Sequence, residues 1–117
     1  MSGSRSYHAG LVAEALVERL YERSGHQICA RRWRGNCGEI DLIARDGEEV
    51  IFIEVKQSSS HAQAAQHLTP RQMARIYGAA GEFIAGEPAG ELTPVRFDVA
   101  LVDGRGQIEI FENAFAA

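Results

Sequence analysis

Two apolar runs separated by a tight turn constrain this chain more than any other feature: Gly38-Glu39-Ile40-Asp41-Leu42-Ile43-Ala44 and Val50-Ile51-Phe52-Ile53-Glu54-Val55-Lys56. β-Branched and aromatic residues fill both, and Asp46-Gly47 between them is a hairpin signal, so they read as adjacent antiparallel strands. Each nonetheless carries acid: Asp41 sits inside the first, and Glu54 and Lys56 close the second. Charges in such runs are costly to bury unless they are paired or hold a metal. Side chains alternate faces along a strand. Ile40, Leu42 and Ala44 are therefore expected on one face, with Asp41 and Ile43 on the other. Ile51, Ile53 and Val55 share a face, and Phe52, Glu54 and Lys56 share the opposite one. If both strands turn their acidic face the same way, Asp41 joins Glu54 and Lys56.

The flanking sequence supplies the other elements. Leu11, Ala15, Leu16 and Leu20 recur at helical spacing from Ala9 to about Arg23, with Gly25 as the stop. His26 to Trp33 alternates as a strand. Ser58-Ser59-Ser60 with His61 through Gln66 reads as a polar, mobile loop, in which His61 and His67 are solvated, with substrate contact as their alternative. Thr69-Pro70 opens a second helix that runs to about Ala85, with Thr at the N-cap and Pro at the first position. Val95 to Val102 and Gln107 to Phe111 are the last strands, joined by Asp103-Gly104-Arg105-Gly106, and residues 113–117 form a tail. The order is α-β-β-β-α-β-β. The turns between the central strands are too short for crossovers, so the fold class is α/β, a mixed central sheet flanked by helices. Residues 1–8 read as a flexible tail and residues 9–117 as a single domain.

A chain of 117 residues is long enough for one core. No apolar run approaches the roughly 18–20 residues that span a bilayer, and the first residues lack a secretory h-region, so no membrane partner and a cytoplasmic location are expected. Cys29 and Cys37 lack zinc-site spacing and are expected to stay reduced, Cys29 as a small core residue. The net charge of −4 is awkward for a nucleic-acid binder, but its distribution matters more than its sum. Arg31, Arg32 and Arg34 surround Trp33, and Arg71 and Arg75 lie one helical turn apart, which makes them candidate phosphate contacts. Trp33 reads as partly core, with base stacking as its alternative.

Two carboxylates at one point repel each other and lose solvation, and a hard cation removes both problems. Mg²⁺ takes oxygen ligands, keeps several waters and commonly uses one or two carboxylates. Asp41 and Glu54 are the candidate ligands, and the backbone carbonyl of Val55 is a third. Lys56 beside them is placed to orient water or to neutralise a phosphate oxygen. On pattern alone, an exposed Glu54–Lys56 pair beside a strand-end Asp41 explains the same residues equally well.

The segment Gly38 to Arg45 followed by Phe52-Ile53-Glu54-Val55-Lys56 resembles the signature of the YraN-like family, as do Ala30-Arg31-Arg32-Trp33-Arg34, Leu68-Thr69-Pro70-Arg71-Gln72, Val95-Arg96-Phe97-Asp98-Val99 and Asn113-Ala114-Phe115. That family is placed among the restriction-endonuclease-like nucleases with the PD-(D/E)xK site. The resemblance implies Asp41 and Glu54 as metal ligands, Lys56 as the residue that positions water, Mg²⁺ (or Mn²⁺) as cofactor, and Glu14 on the first helix as a further metal-binding and catalytic acid, as in Holliday-junction resolvases. It also implies DNA as the partner, branched or structured DNA included, and a homodimer. Gln57-Ser58 stand where the family usually has Thr-Arg, and Gln57 is then a candidate for bonding water or phosphate. Ala13 stands where a Gly usually precedes the Glu. The expected activity is metal-dependent endonucleolytic hydrolysis of DNA. The rival is a non-catalytic nucleic-acid-binding or adaptor protein that retains the fold.

Overall fold

The computed structural model describes the backbone of residues 2–114 and the side chains of residues 9–114. Residues 115–117, the side chains of residues 1–8, and the parts of the two expected tails that fall there lie outside it. The elements are α1 (Ser2–Arg23), β1 (Gln27–Arg34), β2 (Glu39–Asp46), β3 (Glu49–Gln57), α2 (His61–Gln66), α3 (Pro70–Ile84), a 3₁₀ turn (Gly90–Leu92), β4 (Val95–Val102) and β5 (Ile108–Phe111). The five strands lie in sequence order in one sheet. Pairing is antiparallel except between β3 and β4, where α2 and α3 make the crossover. This is the expected mixed α/β architecture with one extra short helix.

Both faces of the sheet are covered. α1 lays Ala13, Val17 and Tyr21 against Leu42, Ala44, Ile51, Ile53, Ala100 and Val102. On the other face, Ala64 of α2 and Ile76, Ala79 and Ala80 of α3 cover Ile43, Val50, Phe52, Phe97 and Leu101. Burial on two sides is why Val50-Ile51-Phe52-Ile53 is an unbroken apolar run, each residue at most 1% exposed. Asp46 pairs with Glu49 around Gly47-Glu48, and Gly47 takes φ 63°, the left-handed region that a two-residue hairpin favours.

Four local expectations are corrected. Helix α1 begins at Ser2 rather than Ala9, because a helix anchored by its packed half propagates through residues that carry no apolar repeat. The stretch read as a mobile loop contains α2. Ser60 caps it by accepting from the Gln63 N–H at 3.2 Å, and alanines fill its turns. Cys29 is exposed, not core, because the β1–β2 register shifts between Ile28 and Ala30 and leaves Cys29 as the extra residue of a bulge. Ile40 packs with Ile43 against the α3 side, while Leu42 and Ala44 face α1, so the alternation breaks at Asp41.

One buried acid outside that hairpin locks the layers together. Asp98 on β4 is fully buried. It accepts from the Tyr21 hydroxyl at 2.6 Å, from Arg96 through two bonds at 2.8 and 2.9 Å, and from the Asn113 N–H at 3.0 Å. Burial, reinforced by the Asp98 hydrogen bond and charge, pushes the Tyr21 hydroxyl far above the usual tyrosine range. The Ala114 N–H donates to the Phe97 carbonyl at 2.7 Å, so the start of the expected C-terminal tail is pinned to β4.

Candidate functional site

The break at Asp41 is where the site forms. The β1–β2 ladder continues out to Glu39, but the β2–β3 ladder ends at Leu42–Ile53. β2 and β3 therefore part just before Asp41 and just after Ile53. In place of a ladder bond, the Asp41 carboxylate (Oδ2) accepts from the Val55 N–H at 2.8 Å. That bond fixes Asp41 beside Glu54. Opposite Asp41 in the β1 register stands Arg32, at φ 48°, a backbone region that costs a non-glycine residue on the order of 1–3 kcal/mol.

Glu54 is only 6% exposed. Its Oε2 accepts from Gln72 Nε2 at 3.1 Å and lies 3.2 Å from Lys56 Nζ. Burial, and next the neighbouring Asp41 charge, push the Glu54 carboxyl up to about 8. Burial also raises the Asp41 carboxyl, against the pull of the Val55 N–H, the Glu54 hydrogen bond and Lys56. Two carboxyls this close in low dielectric resist being ionised together. Asp41, Glu54 and Lys56 are thus gathered at one point, with Val55 contributing its N–H.

Glu14 projects from α1 close enough for its charge to act on Asp41, and burial raises its carboxyl. It is held by Arg32 through two bonds of 2.9 and 3.2 Å. A cavity of about 390 Å³ opens beside this group, and Glu14, Val55, Lys56, Gln57 and His67 form part of its lining. It lies at the carboxyl end of β3 next to the parallel β4, the place where open α/β sheets receive ligands.

The arginines read as phosphate contacts divide into two groups. Arg31 is paired with Glu18, Arg32 with Glu14, and Arg34 with Glu39 at 3.4 Å, so the β1 cluster is engaged with acids of its own chain. Arg71 and Arg75 are exposed on α3, and no ion pair ties them down among the described residues. They share α3 with Gln72, and Arg75 lies against Gly38 just before β2. Trp33 is partly core, edge-on to Phe83 with ring centroids 5.4 Å apart.

Gln72 was not singled out from the sequence. Its signal is the capping box Thr69-Pro70-Arg71-Gln72: the Gln72 N–H bonds Thr69 Oγ1 at 3.2 Å, while the side chain, which would ordinarily reach back to the cap, goes to Glu54 instead. Among the described residues no group of three or more His, Cys, Asp or Glu side chains is arranged to hold a metal ion. The site offers two carboxylates, within the number that Mg²⁺ commonly takes from a protein. Among the described residues no helix is long and apolar enough to cross a membrane.

The chain is similar along its whole length to other bacterial proteins. It is 69% identical over 117 residues to a UPF0102 protein of Cereibacter sphaeroides (strain KD131), covering all of both chains. It is 62% identical over 113 residues to a UPF0102 protein of Ruegeria pomeroyi, covering 97% of this chain and 92% of the relative. It is 41% identical over 111 residues to a UPF0102 protein of Dinoroseobacter shibae, covering 95% and 83%. A family model described as "Uncharacterised protein family UPF0102" matches residues 13–102, a span that includes Glu14, the Asp41–Glu54–Lys56 group and Asp98, and the chain belongs to that family.

Proposed function

We propose that this protein is a metal-dependent endonuclease of the restriction-endonuclease-like type, hydrolysing phosphodiester bonds in DNA. The observation that carries the reading is the desolvated Asp41–Glu54 pair with Lys56 Nζ 3.2 Å from Glu54. A fold gains nothing by forcing two carboxyls together unless something cationic relieves them. The donor set suits a hard cation: Asp41 and Glu54, with the Val55 carbonyl and Glu14 in support, would hold Mg²⁺ (or Mn²⁺), which when bound would neutralise phosphate charge and make water a stronger nucleophile. The chain's own residues do the rest. The Val55 N–H and the Gln72 amide fix the two carboxylates. Lys56 orients the attacking water or stabilises charge on the phosphate. Gln57 bonds water or phosphate at the cavity wall, and Arg71 and Arg75 hold the flanking backbone. A homodimer, with cytoplasmic DNA as the partner, completes the reading.

The test is cleavage of linear, nicked, flapped and four-way DNA in Mg²⁺ or Mn²⁺, with Lys56→Ala as control. Metal-dependent cleavage lost in the control supports the proposal. Cleavage undiminished in the control overturns it. The rival, a non-catalytic nucleic-acid-binding or adaptor protein, draws on one observation: Glu14, the further acid of the proposed metal site, is already held at both oxygens by Arg32. It predicts that calorimetry finds no Mn²⁺ binding to the intact protein.

A further inference from the structure

We infer that the strand acted on is unpaired: the cavity between α1 and the end of α2 receives an extruded or single-stranded stretch of DNA, and a duplex is excluded. This rests on the nuclease reading and narrows its substrate. Three observations carry it.

The first is depth. Glu54 is 6% exposed, and Lys56, 3.2 Å from it, lines the cavity, so a phosphate approaches the pair from within the cavity rather than from the outer surface. A B-form duplex carries its phosphates on a stiff helix with a major groove about 12 Å wide and a minor groove about 6 Å wide. The cavity of about 390 Å³ is near the small end of the roughly 300–1,000 Å³ range for small-ligand sites. It has room for a piece of one strand.

The second is the lining. One wall is Ala9, Gly10 and Ala13 of α1, with almost no side-chain bulk. A Cβ added at Gly10 would meet nothing within 4 Å, so that wall stands back from its surroundings. The other wall carries Lys56, Gln57 and His67, all able to donate to phosphate oxygens. A flat, small-residue wall facing a donor wall matches a single nucleotide unit, whose base is apolar on its face and whose phosphate is anionic. Glu14 would repel that phosphate, but Arg32 already holds both of its oxygens.

The third is what lies outside the cavity. Duplex binding without base readout depends on many cations meeting many phosphates. Here Arg31, Arg32 and Arg34 are occupied by Glu18, Glu14 and Glu39, and the net charge is −4. Arg71 and Arg75, exposed and without an ion pair among the described residues, suit one strand better than a duplex lying across the molecule.

The experiment compares a fluorescent single-stranded oligodeoxynucleotide with a blunt hairpin duplex of the same sequence, by anisotropy with Ca²⁺ in place of Mg²⁺, and repeats both with Gly10→Leu. A Cβ at Gly10 meets nothing within 4 Å, and a thermal melt verifies that the variant is folded. The expected result is single-strand binding about tenfold or more tighter than duplex binding, with that preference lost in the leucine variant. His67→Ala is expected to weaken the single strand about threefold, the loss of one phosphate contact. Equal affinity for the two DNAs, no binding of the single strand, or a preference untouched by Gly10→Leu overturns the inference. Cleavage in Mn²⁺ separates the two ideas. Duplex cut as fast as single strand removes the inference and leaves the nuclease standing. Cavity-dependent single-strand binding with no cleavage of any DNA removes the nuclease and, with it, the claim about the strand cut, and leaves the cavity as a site for single-stranded DNA.

Discussion

Replacing Glu54 by Gln tests the physical premise of the site without any substrate. In the unfolded chain this carboxyl titrates near 4.5; in the fold, burial and Asp41 push it up to about 8. Below pH 4.5 the group is protonated in both states, and its preference for the fold is fully expressed. As pH rises from 4.5 towards 8, the unfolded chain loses the proton and the folded one keeps it, so stability falls by roughly 1.4 kcal/mol per pH unit. Above 8 both states are ionised and the loss levels off. The whole window amounts to something on the order of 4–5 kcal/mol, a large share of the stability of a domain this size. The amide introduced by Glu54→Gln has no proton to lose and keeps an acceptor for Gln72. Urea unfolding between pH 4.5 and 8.5 in EDTA should therefore show wild-type stability dropping through the window while Glu54→Gln stays comparatively flat, so that the variant overtakes the wild type at the alkaline end. Mn²⁺ at pH 8.5 should restore the wild type and leave the variant unmoved. Two parallel curves would refute the reasoning, because they would mean that Glu54 is not desolvated against Asp41.

Three further outcomes are expected. On the proposed reading, Lys56→Ala should lower kcat for DNA cleavage by about 10²-fold or more while urea unfolding still shows a folded domain, since Nζ would stabilise charge at the site rather than in the core. Tyr21→Phe should cost about 1.5–3 kcal/mol in urea unfolding, because it removes a hydrogen bond to a charged, fully buried Asp98. Gly78→Ala, which in an ordinary helix gains about 1 kcal/mol, should instead destabilise by about 1–3 kcal/mol, because the new Cβ would sit 2.8 Å from Cys37 Cβ and Sγ; a rise in melting temperature would contradict this contact.

Where a segment obeyed one period and carried its own punctuation, the sequence alone was enough. Thr69-Pro70 announced α3, Gly47 turned the hairpin, and β4 was bounded at Val95 and Val102 as read. The Glu54–Lys56 pairing was legible because β3 keeps strict alternation: Ile51, Ile53 and Val55 pack on the α1 side, while Phe52 packs on the other and Glu54 reaches Gln72 of α3. Alternation failed for β2, where Ile40 and Ile43 face the same layer. There a side-chain acceptor, Asp41, replaces a ladder bond, and no period shows that substitution. α2 was hidden by its composition, since three serines and two glutamines look like a loop until Ser60 and Gln63 are read as a cap. The pairing of Glu14 with Arg32 was beyond reach for another reason: it depends on how α1 lies across β1, a tertiary distance with no local signature.

The parting of β2 from β3 has a consequence for inheritance. The candidate site sits where the two strands have already let go of each other, while Val50 through Ile53 carry the burial. A lineage can exchange Glu54 in one step and keep the architecture intact, and by removing an electrostatic burden such a descendant would become sturdier as it gave up the proposed activity.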